Sequence, residues 1–250
     1  MQVDQAAVDH YRAVLTAARE AGLRVWVCLL RSAIPVWFAD RGGFAGGLET
    51  WLRWVDLAAG VFGDLAGGWM PFNLATTHAQ KGCLTGTFPP GHRDPREFAA
   101  VLATMHTCDF EAALRLRSTG KPICSNEAVL PLYPPDGQPG PLGYVPWPDG
   151  LADVLARLHR ELPDARFVVA EIGYGDTGGL DDTGRCEYLL RAFEHIAAAQ
   201  ANGMRIEGVS IWTGIDNYEW LAGHSVSFGL FDADRRPRRS AELIRSLTRG

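Results

Sequence analysis

The sequence lacks the features that define several protein classes. Its cysteines are scattered and show no CxxC spacing, which argues against a disulfide framework or a zinc site; they are Cys28, Cys83, Cys108, Cys124 and Cys186. No apolar run approaches the roughly 20 residues that cross a membrane. Met1–Gln5 has neither the basic region nor the apolar stretch of a signal peptide. We therefore predict a cytoplasmic protein with no membrane partner.

The sequence also lacks an excess of positive charge. Its net charge of -5 argues against a nucleic-acid partner, because phosphate binding needs a basic surface. Arginines near the C-terminus are interpreted as a solvated face; they are Arg235, Arg236, Arg238 and Arg239. The length of 250 residues allows one sizeable core, as a single large α/β domain or as two small ones, and the 47% hydrophobic content is ordinary for a globular protein. We predict a single domain over residues 1–250.

Strand-like and helical patterns alternate along the chain. This order predicts an α/β fold in which helices cover a parallel sheet, and its closed form is the (β/α)8 barrel, with function at the C-terminal strand ends. Fewer than eight strands are recognisable: Arg24–Leu30, Trp69–Phe72, Lys121–Ser125, Phe167–Ala170 and Arg205–Trp212. We therefore expect a TIM-type barrel that is incomplete or rearranged. Leu132–Gly150 is rich in Pro and Gly and predicts a long loop, and Asp149 is expected to cap the helix that follows.

One charged residue stands at the end of an apolar strand. The β-branched run in Phe167–Tyr174 leads directly to Glu171, and Gly173 follows two residues later. Barrel strands deliver charged groups to an active site in this way. Glu171 is therefore the first candidate for a catalytic residue, and the alternative is a buried structural ion pair.

Several segments match the motifs of one enzyme family in chain order. Glu171–Tyr174 is similar to its Thr-Glu-Asn-Gly motif, and Trp212–Trp220 to its Trp-Ser-Leu-x-Asp-Asn-Phe-Glu-Trp motif. Pro71–Leu74 stands where the family has Thr-Phe-Asn-Glu-Pro, and Gly86–Gly91 matches Gly-x-x-x-Pro-Gly. On these motifs the chain resembles the family 1 glycoside hydrolases, the β-glucosidase group, from about Val8 to Leu247.

The sequence departs from this family at important positions. Leu74 replaces the acid/base glutamate, Ala75 the proline after it, and Arg31 a histidine that contacts the sugar. The family's first two strands would precede Met1, and its sixth strand is expected to be missing between Asn126 and the helix before Glu171. A truncated reading frame without a stable function is therefore one of the hypotheses.

The resemblance implies a retaining cleavage that uses two carboxyl groups about 5–5.5 Å apart. Glu171 matches the nucleophile, but the isobutyl group of Leu74 has no proton to give to the leaving oxygen. Thioglucosidases of the same family also lack the acid/base glutamate and act on a leaving group that needs no protonation, although they keep a polar glutamine there. We therefore expect weak activity or unusual substrates.

Two other charged residues follow predicted strands. Glu127 could substitute for the lost acid/base, and the alternative is a loop carboxylate outside the site. Arg31 could pair with Glu171 and hold it ionised, and the alternative is a salt bridge with a loop carboxylate.

The remaining site residues are implied by the resemblance. Asn73 would contact the 2-hydroxyl, Trp212 would form the floor of the sugar site, and Glu219 with Trp220 would grip the far hydroxyls. The implied ligand is a small-molecule glycoside, and no metal or cofactor is implied. The alternative function is a non-catalytic or repurposed barrel that binds a sugar or another small molecule. An open barrel exposes strand edges, so we expect either a homo-oligomer that covers the opening or a plug formed by Met1–Val8 and Leu132–Gly150.

Overall fold

The computed structural model describes residues 3–129, 137 and 139–248. The helices are α1 (Gln5–Glu20), α2 (Val36–Ala39), α3 (Leu48–Phe62), α4 (Ala75–Ala79), α5 (Pro95–Leu116), α6 (Asp149–Glu161), α7 (Thr183–Ala201) and α8 (Arg239–Leu247). The strands are β1 (Trp26–Leu30), β2 (Gly68–Phe72), β3 (Arg166–Ile172) and β4 (Arg205–Ile211). The chain divides into two compact units, Met1–Ala128 and Val129–Gly250. One domain over residues 1–250 stays a prediction.

The first unit is built on a parallel pair of strands. β1 pairs with β2, with Trp26 opposite Gly68 and Leu30 opposite Phe72. The ring of Phe72 stacks on Trp51 of α3, with ring centroids 4.5 Å apart. The indole N–H of Trp51 donates to the carbonyl of Cys108 on α5 at 3.1 Å. The buried indole thus satisfies its polar group while joining two helices to the strand pair.

Lys121–Ser125 lies alongside β2 but forms no strand. The N–H of Trp69 donates to the carbonyl of Pro122, and the N–H of Cys124 donates to the carbonyl of Trp69, both at 2.9 Å. These two hydrogen bonds form a single bridge between Trp69 and Ile123, and a second single bridge joins Asn73 and Asn126. Proline has no N–H to continue a ladder. The prediction of a regular strand here is therefore wrong.

The second unit is built on β3 and β4, which also run parallel. Arg166 pairs with Arg205 and Ile172 with Ile211, and the register shifts twice along the ladder. Phe167 and Val169 pack on the core formed with α6 and α7. Val168 points away from that core, because side chains alternate along a strand, and 55% of its surface is exposed. The strand is therefore covered by helices on one face and exposed to solvent at Val168.

The segment predicted as a long loop is Leu132–Gly150. Its residues 132–136 and 138 lie outside the described residues, as do Met1 and Gln2, so the plug stays a prediction. No helix or strand forms from residue 139 to residue 148, which agrees with a loop. α6 begins at Asp149 with Pro148 in the cap position. Asp149 itself pairs with Arg191 and His195 of α7, so its predicted capping role is wrong.

The core of the first unit gives a test of this packing. Leu116 on α5 is 0% exposed, so Leu116→Ala leaves a cavity and should lower the free energy of unfolding by about 2–5 kcal/mol. Leu114 on the same helix is 39% exposed, and Leu114→Ala should cost about 1 kcal/mol or less. Urea unfolding followed by tryptophan fluorescence measures both. Equal losses in the two variants would contradict the assigned packing.

Candidate active site

Glu171 stands at the C-terminal end of β3, with its side chain exposed. The next residue, Ile172, is buried in the core with Leu189 and Ala192 of α7, which fixes the strand end. The carbonyl of Ile172 accepts the N–H of Trp212, the residue that follows β4, at 2.8 Å. Because the strands are parallel, their C-terminal ends meet at one edge, and Glu171 and Trp212 are brought together there.

A glycine makes this close approach of the two strand ends possible. A Cβ atom on Gly173 would meet the carbonyl oxygen of Trp212 at 2.2 Å, which is shorter than any normal contact. Any other residue at position 173 would push the strand ends apart. The peptide bond between Trp212 and Thr213 is cis.

A cavity of about 590 Å³ lies beside Glu171 within the second unit. Among the described residues that line it, Glu171 alone carries a charge. Five aromatic rings contribute to the walls, from Tyr144, Trp147, Tyr174, Tyr188 and Phe228. This volume falls in the range of roughly 300–1,000 Å³ that is typical of small-molecule sites.

One wall of this cavity comes from the loop before α6. The N–H of Gly140 donates to the carbonyl of Tyr144 at 2.7 Å, and the N–H of Gly143 donates back to Gly140 at 2.9 Å. Gly143 has φ 78°, a backbone conformation that favours glycine. The turn carries Tyr144 and Trp147 into the wall.

Another part of the wall contains Tyr174 and Tyr188, whose ring centroids are 5.7 Å apart. Burial raises the pKa of Tyr188, because the charged phenolate is poorly solvated there. The Tyr188 hydroxyl therefore stays protonated at neutral pH, and this wall contributes no second charge.

A buried arginine holds the segments around this site. Arg185 of α7 is 1% exposed and pairs with Asp182 at 2.8 Å. Its guanidinium also donates to the carbonyls of Tyr174, Ser227 and Gly229, at 3.1, 2.7 and 2.8 Å. Tyr174 follows Glu171, and the other two residues flank Phe228 of the cavity wall. Arg185 thus ties the turn after β3 to the segment after β4.

A second buried arginine extends this network. Arg238 is 3% exposed and donates through both terminal nitrogens to Asp216, at 2.9 and 2.8 Å. It also donates to the carbonyls of Gly179 and Gly229, both at 2.7 Å. The interpretation of the C-terminal arginines as a solvated face is therefore wrong for Arg238. The chain folds back so that α8 begins beside these carbonyls.

The pKa of Asp216 is lowered. Burial opposes its charged form, but the hydrogen bonds from Arg238 and from the N–H of Gly229, together with the positive charges of Arg238 and Arg185, outweigh burial. Asp216 lies inside the motif Trp212–Trp220, so the pair with Arg238 anchors that motif.

Two predicted sugar contacts lie on the turn after Asp216. The backbones of Glu219 and Gly223 exchange two hydrogen bonds, of 2.8 and 2.7 Å. A Glu219 carboxylate oxygen accepts the side-chain N–H of Asn217 at 2.6 Å. Trp220 is 67% exposed, so its indole face is available to a ligand.

The other predicted site residues lie in the first unit. Asn73 is buried, and its side-chain oxygen accepts the amide N–H of Asn126 at 2.6 Å. Glu127 accepts the backbone N–H of Thr76 at 3.2 Å, which gives it a capping role at the start of α4. Arg31 directly follows β1 and is exposed. The predicted residues thus form two groups, one in each unit.

Sequence reasoning missed a carboxyl group beside Glu127. Asp109 of α5 accepts the hydroxyl of Ser125 at 3.0 Å. Burial raises the pKa of Asp109, and although the Ser125 hydrogen bond opposes this, the negative charge of Glu127 raises it further. No motif signalled this residue, because the contact depends on how α5 packs on the segment before Asn126.

Leu74 occupies an unusual backbone conformation. Its φ and ψ are 59° and 56°, in the left-handed region, which costs about 1–2 kcal/mol for a residue with a Cβ atom. The N–H of Leu74 donates to Asn126 and its carbonyl accepts from His78, both at 3.0 Å. Strain of this kind is often found at functional positions.

The arginine network was also missed by sequence reasoning, although Asp182 and Arg185 stand three residues apart at a helix start, which is a recognisable spacing.

Over the described ranges, no cluster of three or more His, Cys, Asp or Glu side chains could hold a metal ion. None of the described helices combines the length and apolar character needed to cross a membrane.

Parallel strands with helical cover and a carboxylate at a strand end are features of α/β barrel enzymes. The family model described as glycosyl hydrolase family 1 matches residues 1–121 and 133–249, and the chain belongs to this family. The predictions of family and of an incomplete TIM-type (β/α) barrel are confirmed.

Individual relatives agree with this assignment. The galactolipid galactosyltransferase SFR2 of Arabidopsis thaliana is 24% identical over 98% of this chain and 49% of that protein, so the chain spans about half its length. β-Glucosidase A of Enterobacter agglomerans is 30% identical over 41% of this chain and 24% of that protein. A β-glucosidase from Thermotoga maritima, solved in complex with deoxynojirimycin, matches with a TM-score of 0.88 at 16% identity, over 95% of this chain and 76% of that one.

Breaking the arginine network should greatly lower the free energy of unfolding. Arg185→Met leaves Asp182 buried without its charge partner, which should cost about 3–5 kcal/mol of unfolding free energy. Arg191→Met on the same helix removes only exposed ion pairs and should leave the thermal midpoint nearly unchanged. Thermal unfolding followed by circular dichroism compares them. A midpoint for Arg185→Met equal to that of Arg191→Met would show that the network does not hold the unit together.

Proposed function

We propose that this β-glucosidase-like chain cleaves glycosides by a retaining route with Glu171 as the nucleophile. The observation that carries the proposal is the exposed Glu171 carboxylate at the C-terminal end of β3, beside a cavity of about 590 Å³. The adjoining strand end contributes Trp212, whose indole suits the apolar face of a sugar. A carboxylate at such an edge can attack an anomeric carbon and form a covalent glycosyl-enzyme.

Leu74 restricts the substrates that this route can use. General acid–base help is typically worth 10²–10⁴-fold, and leucine can supply none of it. Cleavage is then limited to glycosides whose leaving group departs without a proton. Hydrolysis of the glycosyl-enzyme is also slow, because no base at position 74 activates the water. Glu127 remains the proposed substitute, although its contact with Thr76 favours a structural role.

The other roles proposed for the site follow the family resemblance. Trp212, Glu219 and Trp220 are the proposed sugar-binding residues of the second unit, and Asn73 and Arg31 are those of the first. The deoxynojirimycin complex of the T. maritima β-glucosidase supports a small-molecule glycoside as the ligand. The chemistry requires neither metal nor cofactor. A cytoplasmic location and a homo-oligomer that covers the open barrel are part of the proposal.

A dinitrophenyl β-glycoside gives the direct test of the nucleophile. Its phenolate leaves without protonation, so the wild type should release a burst of about one equivalent per chain and then turn over slowly. Glu171→Gln keeps the shape of the side chain but loses its nucleophilicity, and it should show no burst. Stopped-flow absorbance records the burst, and intact-mass spectrometry records the glycosyl adduct.

Azide provides a control for the slow second step. It needs no general base, so it should accelerate turnover and yield a glycosyl azide in the wild type only. A burst that survives in Glu171→Gln would exclude Glu171 as the nucleophile. No burst, together with saturable sugar binding by calorimetry, would support the alternative of a non-catalytic binding protein.

Restoring the missing acid/base tests the role of position 74. Leu74→Glu should raise the rate on an unactivated alkyl glycoside by about 10²–10⁴-fold, because a carboxyl group can protonate the leaving oxygen. Leu74→Gln has nearly the same size and polarity but gives no comparable proton transfer, so it should stay at the wild-type rate. Steady-state release of glucose measures both. Equal rates in the two variants would show that position 74 is not the acid/base position.

Transfer to an acceptor is a second candidate function. SFR2, whose name is galactolipid galactosyltransferase, matches 98% of this chain. Without a base to activate water, a glycosyl-enzyme on Glu171 would persist until a better nucleophile arrives. Formation of a new glycoside in the presence of an added alcohol, at the expense of free sugar, distinguishes transfer from hydrolysis.

A further inference from the structure

We propose that the first unit carries a binding site for a soft monovalent metal ion, Cu(I), formed by Cys28, Met70 and Cys124. The three residues stand side by side on neighbouring parallel segments of the chain, and each contributes one sulfur atom. This site does not rest on the glycoside chemistry proposed above.

Backbone pairing places these three residues in one row. In the ladder between β1 and β2, Cys28 lies opposite Met70. On the other side of β2, the N–H of Cys124 donates to the carbonyl of Trp69 at 2.9 Å. That carbonyl belongs to the peptide bond between Trp69 and Met70, so Met70 and Cys124 are also neighbours. We call Cys28, Met70 and Cys124 the sulfur row.

The sulfur row lies on the face of the strands that points away from the helical core. Trp69 is 0% exposed within that core, and its partners Val27 and Ile123 pack against the same core. Successive side chains of an extended segment point to opposite faces. The residue that follows each of these three is a member of the sulfur row, which therefore points the other way.

An ion can reach the sulfur row from solvent. Cys28 is exposed, and Met70 and Cys124 are half-buried. The pKa of Cys124 is raised to about 11, first by burial and then by the nearby groups Cys28 and Asp109. The two thiols are thus close enough to influence each other.

The spacing of the sulfur row suits a bridging ion better than a disulfide. Neighbouring strands lie about 4.7–4.9 Å apart, so the Cα atoms of Cys28 and Cys124 are about 9–10 Å apart across β2. A disulfide needs Cα atoms within about 7 Å of each other. A bound ion adds a metal–sulfur bond of about 2.3 Å on each side. One ion beside Met70 can therefore join two thiolates that are too far apart to join each other.

The ligand types select Cu(I) over harder ions. Thiolates and thioethers are soft ligands, and together they favour Cu(I). Zinc takes four ligands from Cys, His and carboxylate groups, and a thioether is not among them. Each thiol loses its proton to solvent as its sulfur binds copper, and the copper stays Cu(I). The Cys28 thiol then gives up the hydrogen bond that it donates to the carbonyl of Leu30 at 3.3 Å.

Competition with bicinchoninate tests the site in the full chain. This chelator holds Cu(I) as a coloured complex, and under anaerobic conditions the wild type should remove about one equivalent per chain. Cys28→Ser and Cys124→Ser should each weaken Cu(I) binding at least about tenfold, because each removes one thiolate. The matched control is Cys186→Ser, which removes a half-buried cysteine of the second unit and should leave the affinity unchanged.

Met70→Leu tests the thioether separately. Leucine conserves the volume and leaves both thiols in place, so this variant should fold even if a serine variant does not. It should weaken Cu(I) binding about threefold to tenfold, and X-ray absorption should show three sulfur neighbours of copper in the wild type and two in the variant. Excess Zn(II) should not displace the copper.

Several results would overturn the proposal. They are a Cu(I) affinity that is unchanged in Met70→Leu or in either of Cys28→Ser and Cys124→Ser, loss of binding in Cys186→Ser, and displacement of the copper by Zn(II). Glu171→Gln should bind Cu(I) as the wild type does. Copper binding without a glycoside burst would therefore refute the proposed function alone, and a burst without copper binding would refute this site alone.

Discussion

The ion pair between Asp182 and Arg185 is the interaction on which the candidate site of the second unit depends. Both side chains are 1% exposed, so loss of either one would leave the other buried without its ion-pair partner. Arg185 also donates to the carbonyls of Tyr174, in the turn after β3, and of Ser227 and Gly229, in the segment after β4. Arg238 and Asp216 continue the network to the motif that carries Glu219 and Trp220. The turn after the candidate nucleophile and the segment after β4 are therefore held by side chains that do not line the cavity.

The proposed function gives Glu171 the role of nucleophile and leaves the acid/base position, Leu74, without a carboxyl group. Glu171 keeps the strand-end position of a catalytic carboxylate, and Gly173 lets the neighbouring strand end come close. Leu74 has a left-handed backbone conformation that costs energy without offering a polar group. Under that proposal, a glycosyl-enzyme forms only from substrates whose leaving group needs no proton, and one side chain, Leu74, sets this limit.

β3 is an edge strand of the two-stranded sheet described in the second unit, and exposed edges invite pairing with other chains. Residues of the loop before α6, from 140 to 147, line a cavity beside β3. The loop thus places the aromatic rings of Tyr144 and Trp147 in the same cavity wall as the Glu171 carboxylate.

The sequence by itself determined the family, the alternation of helices and strands, and the strand that ends at Glu171. These features are local, because the motifs and the hydrophobic periodicity depend on residues that lie close together in the sequence. Only the tertiary structure decided the burial of Arg238, the interruption of the pairing at Pro122 and the exposure of Val168. Each depends on groups far apart in the chain, as when the N–H of Ser240 donates to Asp182, 58 positions earlier. The sequence of an arginine run does not show which of its side chains is buried. The fold of the C-terminal segment places the guanidinium of Arg238 against the carbonyls of Gly179 and Gly229.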